Sequence, residues 1–306
     1  MAQGQRVLFA GMFGEFSRIP LQMVLAAGVA VAGVIVPGQG DVPGGIRPLL
    51  PPPPLSSLPL LTPHAVETVV QVAWAHGLPV WEVGRLRDTA VRDTMAALQP
   101  DVALVACFSK KIPASLLAVP RHGWLNLHPS RLPDFRGPEP LFWTLRAGLT
   151  ETAVTLHWLD EGLDSGDIAL QQPVHLPEGE SGPALTRLLA QVGGQMIVTA
   201  LAQLAGGTLP RQTQPAGGHY DPAPQAKDFV LERAWSARHA YNFMRGTAEW
   251  GMPYRVEGLN GGDGVWLETA VAYEPARKLP QPIVYRHNQI GIQFTPGILW
   301  AVRKNG

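Results

Sequence analysis

Three side chains of different chemistry stand in two short segments: the Asn126 amide, the His128 imidazole and the Asp164 carboxylate. Asn126-Leu127-His128-Pro129-Ser130-Arg131-Leu132-Pro133 follows an apolar run and a glycine, and reads as a strand end turning into a loop. Residues two apart on a strand project from one face, so Asn126 and His128 point together. Downstream, Leu159-Asp160-Glu161-Gly162-Leu163-Asp164-Ser165-Gly166-Asp167 is a glycine-punctuated turn able to deliver Asp164 to that pair. An amide, an imidazole and a carboxylate in one cleft suit acyl-group transfer. By type alone, a lone histidine at a strand end is more often structural, and Asp160, Glu161, Asp164 and Asp167 suit a solvated turn or a cation site as well.

The elements that must position these residues alternate. Arg6–Gly11 reads as a buried strand, Arg18–Ala27 as a helix and Val29–Val36 as a strand. Helix His64–His76, strand Leu78–Val83, helix Asp88–Leu98 and strand Asp101–Cys107 follow. This is the rhythm of βαβ units, and it predicts an α/β fold with a Rossmann-like, mostly parallel sheet covered by helices on both faces. Ligands of such sheets bind at the carboxyl ends of the strands, where Asn126 and His128 fall. Between Pro37 and His64 the run of prolines predicts an extended loop without regular hydrogen bonding, either a stiff surface loop or a flap at the substrate mouth.

Phe142–Gly148 reads as a helix end, Thr152–Leu159 and Ile168–Val174 as strands, and Ser181–Leu204 as a long helix. These complete an N-terminal catalytic domain over residues 1–205. A Gly-, Pro- and Gln-rich linker is expected over 206–224. Helix Trp235–Met244 and short strands at Tyr254–Glu257, Val265–Tyr273, Pro282–Arg286 and Gln289–Phe294 predict a small β-barrel-like (OB-like) C-terminal domain over 225–306. Trp235, Tyr241, Phe243 and Trp250 suit its core or an acceptor-binding face.

The 306 residues carry 24 basic and 24 acidic side chains, so net charge offers no case for a dedicated nucleic-acid or membrane protein. Cys107 is the sole cysteine, which excludes a disulfide framework and a thiolate metal cluster. At a strand end it reads as a small buried apolar residue. Gly28, Gly33 and Pro37 divide the apolar stretch Leu21–Val36, so neither a signal peptide nor a membrane span is expected, and the location expected is cytoplasmic. Gly11-Met12-Phe13-Gly14 lacks the G-x-G-x-x-G spacing, which argues against NAD; no paired-histidine motif supports a metal.

Together the two segments resemble the folate-dependent formyltransferases, in particular the methionyl-tRNA formyltransferase group. The family's Asn-x-His-Pro-Ser-Leu-Leu-Pro-like signature stands here as Asn126 to Pro133 with Arg136-Gly137 after it. Its Thr-x-x-x-Met-Asp-x-Gly-x-Asp-Thr-Gly-Asp-like signature stands as Thr155 to Asp167. The resemblance covers about residues 6–205 and, more loosely, the C-terminal domain. It implies 10-formyltetrahydrofolate as donor, a primary amine as acceptor, and Asn126, His128 and Asp164 as the catalytic trio. Asn126 and a protonated His128 would donate hydrogen bonds to the oxygen of the tetrahedral intermediate, with Asp164 keeping the imidazole protonated and moving protons through water. Ser130, Arg131, Leu132, Pro133, Leu159 and Asp160 are implied walls of the folate pocket, joined by Phe108 and Ile112 from the neighbouring strand end.

The chain departs from the family in three places. Arg131 stands where the family has Leu, and Gly137–Trp143 differs from the small-residue sequence usual after Arg-Gly. The tRNA enzymes also carry a basic loop after the second strand. The corresponding stretch, residues 38–63, has Arg47 as its sole basic residue against Asp41. Affinity for a nucleic-acid backbone rests on several cation–phosphate contacts. Architecture thus favours initiator methionyl-tRNA as acceptor, whereas charge favours a small amine such as a nucleotide-linked amino sugar. A non-catalytic folate binder and a hydrolase passing the formyl group to water are further readings; the intact trio counts against the first and the long C-terminal domain against the second.

Overall fold

The structure is a computed structural model and describes residues 5–38, 40, 42–52, 67–259 and 264–304. The chain folds as two compact units, one of Met1–Arg136, Ala153–Pro173 and Arg187–His219, the other of Gly137–Thr152, Val174–Thr186 and Tyr220–Gly306.

In chain order the elements are β1 (Arg6–Gly11), α1 (Glu15–Ala26), β2 (Ala30–Pro37), β3 (Ile46–Leu49), α2 (Val69–Ala75), β4 (Val80–Val83), α3 (Thr89–Ala97), β5 (Val102–Ala106), α4 (Ala114–Leu117) and β6 (Trp124–His128). They continue with α5 (Pro140–Arg146), β7 (Glu151–Trp158), β8 (Ile168–His175), α6 (Gly182–Ala205), β9 (Val230–Leu231), α7 (Ala237–Gly246), β10 (Tyr254–Val256), β11 (Val265–Glu274), β12 (Ile283–Arg286), β13 (Gln289–Gln293) and β14 (Ile298–Arg303).

Eight strands form one sheet in the order β3-β4-β2-β1-β5-β6-β7-β8. Pairing is parallel across β4-β2-β1-β5-β6, while β3 and β7 join antiparallel. The expected Rossmann-like α/β architecture is therefore present. Chain order reverses between β1 and β5, which opens a crevice at their carboxyl ends, and β6 ends beside it. On one face Leu8, Ala10, Ile35, Ala103, Val105 and Trp124 pack with Val91 and Met95 of α3 and Leu116 of α4. On the other, α6 lies so close that a Cβ on Gly193 would fall 2.4 Å from Leu127 Cδ2, and one on Gly194 2.5 Å from Met23 Sδ. α6 is long and apolar enough to cross a membrane by length and composition, but Leu189, Ala190, Ile197 and Ala200 are buried, as befits a core helix.

The proline-rich stretch is more ordered than expected where it is described. Ile46–Leu49 pairs antiparallel with β4, and Trp74 Nε1 donates to the Leu49 carbonyl at 3.0 Å. Pro48 is tolerated because β3 is the edge strand, where one missing N–H breaks no ladder. The prolines from Pro53 to Pro63, and the start of the helix expected at His64, lie outside the described residues.

The second unit carries the expected β-rich domain, a six-stranded sheet in the order β12-β13-β14-β11-β10-β9. Strand β14 was not anticipated, although Ile298-Leu299-Trp300-Ala301-Val302 is an apolar run bounded by Gly297. Its core holds Phe229, Phe243, Tyr254, Ile290 and Leu299, with Trp235, Tyr241 and Trp250 packed against it, so these aromatics serve as domain core. The division is not the one expected over 1–205, 206–224 and 225–306. Phe142 and Leu145 of α5, Leu176 and Leu185 are buried in this second core and take their segments with them, whereas 206–219 belongs with the first unit rather than acting as a free linker.

Overpacking the α6–sheet contact tests this layer arrangement: Gly193→Val is expected to lower unfolding free energy by about 1–3 kcal/mol, read from denaturant midpoints at unchanged m-value.

Candidate active site

β6 and β7 run antiparallel with Asn126 opposite His157 and His128 opposite Thr155. Period-two alternation puts all four side chains on one face of the sheet at the end of β6. Asn126 and His128 thus point together as their spacing requires, and the partner strand adds an unexpected second imidazole.

Asp164 arrives from the loop after β7. Trp158 N–H donates to the Asp167 carbonyl at 2.8 Å, closing the loop at its base. Gly166 is needed there, since a Cβ would sit 1.9 Å from the Trp158 carbonyl oxygen. Asp160 staples the loop from within: its Oδ1 accepts from Gly162 N–H at 2.9 Å and Ser165 Oγ at 3.0 Å. Asp164 itself takes a left-handed backbone, φ 51°, a conformation that Asp adopts more readily than most residues. Its Oδ1 then lies 3.3 Å from Asn126 Nδ2, 3.8 Å from His128 Nδ1 and 3.6 Å from His157 Nε2. The expected trio does converge, on a single carboxylate oxygen.

Hydrogen-bond partners fix the proton positions. His128 Nε2 donates to the Phe135 carbonyl at 2.9 Å, so its Nδ1, facing Asp164, carries the lone pair in the neutral ring. His157, fully buried, donates from Nδ1 to the Trp158 carbonyl at 3.1 Å, which leaves Nε2 to accept from Asn126 Nδ2 at 3.0 Å. The Asn126 amide is thereby oriented with its nitrogen toward His157 and Asp164. Burial holds the His128 imidazole below its ordinary 6.5, outweighing the opposing pull of the Asp164 carboxylate and the Phe135 carbonyl; His157 adds to the lowering. This corrects the expectation of a His128 kept protonated by Asp164: removing a charge from water costs more here than one carboxylate at 3.8 Å returns. The neutral ring presents a free Nδ1 lone pair, the attribute of a base.

The turn after β6 is tied down from the same face. Thr155 Oγ1 donates to the Ser130 carbonyl at 2.6 Å and accepts from Gln171 Nε2 at 2.9 Å, while Gln171 also reaches the Leu132 carbonyl at 3.0 Å. Ser130 Oγ is turned inward to the Asp134 carbonyl. Of the other residues expected around the folate, Leu132 and Ile112 are buried side chains, Phe108 and Leu159 pack half-buried on the sheet's core, and Pro133 is half-buried. Arg131 and Asp160 are exposed, Asp160 being occupied with its own loop. Cys107 is exposed rather than buried, with φ 59° just past the end of β5. Among the described residues no group of three or more His, Cys, Asp or Glu could hold a metal ion. Sequence reasoning missed His157, Gln171 and Gln214. The alternation Thr155-Leu156-His157 was the available signal for the first, but only its register against β6 makes it informative.

With this geometry in hand, the chain's relatives are informative. The family described as Formyl transferase matches residues 61–201. A methionyl-tRNA formyltransferase of Bordetella petrii is 35% identical over 287 residues, covering 90% of this chain and 85% of that protein. One from Aromatoleum aromaticum is 39% identical over 213 residues, or 70% of this chain, and the chain spans only 62% of that relative's length. Among solved structures, an N-formyltransferase from Helicobacter canadensis, in complex with folinic acid and dTDP-3-aminofucose, superposes with a TM-score of 0.66 over 97% of this chain and 99% of its own, at 13% identity. At that identity the likeness speaks for the fold alone.

A histidine whose pKa is lowered by folding stays neutral in the native state while the unfolded chain takes up a proton. Its share of stability is full above 6.5 and is lost as pH falls toward the folded value. Unfolding free energy measured by denaturant between pH 5 and 8 is therefore expected to fall below about pH 6.5, and His128→Gln is expected to flatten that slope.

Proposed function

The chain belongs to the formyl transferase family, and from that premise we propose that it moves a formyl group from 10-formyltetrahydrofolate to a primary amine. The observation that carries the reading is the convergence of Asn126, His128 and His157 on Asp164 Oδ1 at the carboxyl end of β6. The Asp164 carboxylate draws the amine in as its ammonium form, and the proton that must leave before attack passes through water to solvent, so Asp164 remains a carboxylate. The amine nitrogen then adds to the formyl carbon. One amide hydrogen of Asn126 turns from Asp164, where its contact is a long 3.3 Å, to the formyl oxygen as that oxygen becomes anionic. A donor so placed is worth about 3 kcal/mol in the transition state.

The adduct now carries one proton too many on the attacking nitrogen. His128 Nδ1 accepts it, and the imidazolium formed is stabilised by Asp164 only at this moment, which is when stabilisation speeds the reaction. His128 then gives the proton to the departing folate nitrogen as the carbon–nitrogen bond breaks, leaving a formamide and tetrahydrofolate. Proton count and charge balance with His128 neutral at the start and at the end. His157 keeps the Asn126 amide aimed throughout.

Relatives 33% and 35% identical that this chain covers by 74% and 85% are methionyl-tRNA formyltransferases, which supports methionyl-tRNA as acceptor. One observation favours a second reading, a small nucleotide-linked amine. Arg47, the sole basic residue of 38–63, is ion-paired with Glu82 across β3 and β4 and so is engaged already. The chemistry at Asp164 is the same for both acceptors. A soluble, cytoplasmic protein fits either.

Replacing Asn126 by Ala, His128 by Ala or Asp164 by Asn is expected to lower kcat by about 100- to 10,000-fold, followed as formylated amine by mass spectrometry. Formylation of charged tRNA that falls steeply between about 50 and 200 mM salt would establish the tRNA acceptor; a salt-indifferent reaction confined to nucleotide amino sugars would establish the other. Formate release without any amine product would overturn the transferase reading.

A further inference from the structure

The amide nitrogen of Gln214 donates to two backbone carbonyls of the Asp164 loop, those of Asp164 and Gly166, each at 2.8 Å. Both of its hydrogens are thereby used. Its Oε1 accepts from Arg136 Nη2 at 2.8 Å, so the guanidinium decides which end of the amide faces the loop. The stretch that carries Gln214 is itself fastened to the first unit. Gln212 and Ile168 exchange backbone hydrogen bonds of 2.7 and 3.0 Å, Trp158 Nε1 donates to the Pro210 carbonyl at 3.1 Å, and the Arg211 guanidinium lies 3.8 Å over the Trp158 ring. Arg136 N–H closes the strap on the His219 carbonyl at 3.1 Å.

We propose that Gln214, aimed by Arg136, is the positioning residue that holds Asp164 at the site. The proposal deepens the formyltransferase reading and rests on it for its catalytic consequence. Asp164 Oδ1 accepts from Asn126 at a long 3.3 Å and lies 3.8 and 3.6 Å from the nitrogens of His128 and His157. The two 2.8 Å bonds from Gln214 hold the backbone on either side of Ser165, and so hold the loop that carries the carboxylate. They also hold Asp164 in its left-handed conformation, which an untethered Asp would leave for a commoner one. Arg136 of the Arg-Gly pair thus acts on chemistry through the strap: guanidinium to Gln214, Gln214 to the loop, the loop to the carboxylate.

The test uses the full chain with Gln214→Ala and Gln214→Glu. The second keeps an acceptor for Arg136 but turns a carboxylate oxygen on the two carbonyls, so both variants are expected to lose the clamp. kcat is expected to fall about 10- to 100-fold, as for a reacting group displaced by about 1 Å, with KM for formyl-folate within about twofold. A second readout does not depend on turnover. Burial and His157 oppose the His128 cation, while Asp164, ahead of the Phe135 carbonyl, favours it. The NMR titration midpoint of His128, assigned with His128→Gln, is therefore expected to drop in Gln214→Ala toward the value found in Asp164→Asn. A Gln214→Ala protein that is folded and keeps the wild-type His128 midpoint overturns the proposal, whatever its activity. A wild type that formylates no amine, yet whose His128 midpoint responds to Gln214→Ala, overturns the formyltransferase reading and leaves the clamp standing.

Discussion

A single carboxylate oxygen faces three nitrogen atoms, two of them on buried imidazoles, and the site is built around the difficulty of keeping it there. Asp164 is the only anion among these groups, and neither neutral imidazole offers it a proton: His128 spends its N–H on Phe135 and His157 spends its own on Trp158. Asn126 donates to it at 3.3 Å. The carboxylate is only partly buried, its side chain 17% exposed, and its attraction for a cation is what an incoming ammonium group can satisfy. The same arrangement keeps His128 neutral, because burial of the ring outweighs the field of one carboxylate.

The fold meets this demand by dividing the labour between strands and loops. Strands contribute what must be rigid: Asn126 and His128 on β6, His157 and Thr155 on β7, locked in antiparallel register with α6 pressed against Leu127 behind them. The loop contributes what must reach across, the carboxylate, and is held by its own Asp160 turn and by the amide of Gln214. Thr155 and Gln171 pin the Ser130–Leu132 turn to the same strand pair. Both signature segments are thus referred to β7, and their relative position follows from one register.

The two units draw on interleaved stretches of chain. Phe142, Leu145, Leu176 and Leu185 are apolar residues from between the signature segments and just after them, yet they are buried in the second core. A reading in sequence order assigns them to the nearer domain, because contiguity is all a linear string displays. Burial follows the largest apolar surface within reach, and for these residues that is the aromatic cluster of Phe229, Phe243 and Tyr254.

Local chemistry made much of this protein legible. The βαβ rhythm, the strand end at His128, the glycine-bounded turn at Asp164 and the neutral, disulfide-free character all depend on residues close together in the chain, where propensity and periodicity act. The pairing of Asn126 with His157, the inward-facing tautomer of His128 and the strap from Gln214 to the Asp164 loop depend on segments far apart, and so does the edge position that lets Pro48 lie in a strand. Register, burial and hydrogen-bond partnership are properties of neighbours in space. The sequence alone determined which groups were available for chemistry; only the tertiary structure decided their protonation, their aim and what holds them, because those are set by dielectric and distance rather than by order along the chain.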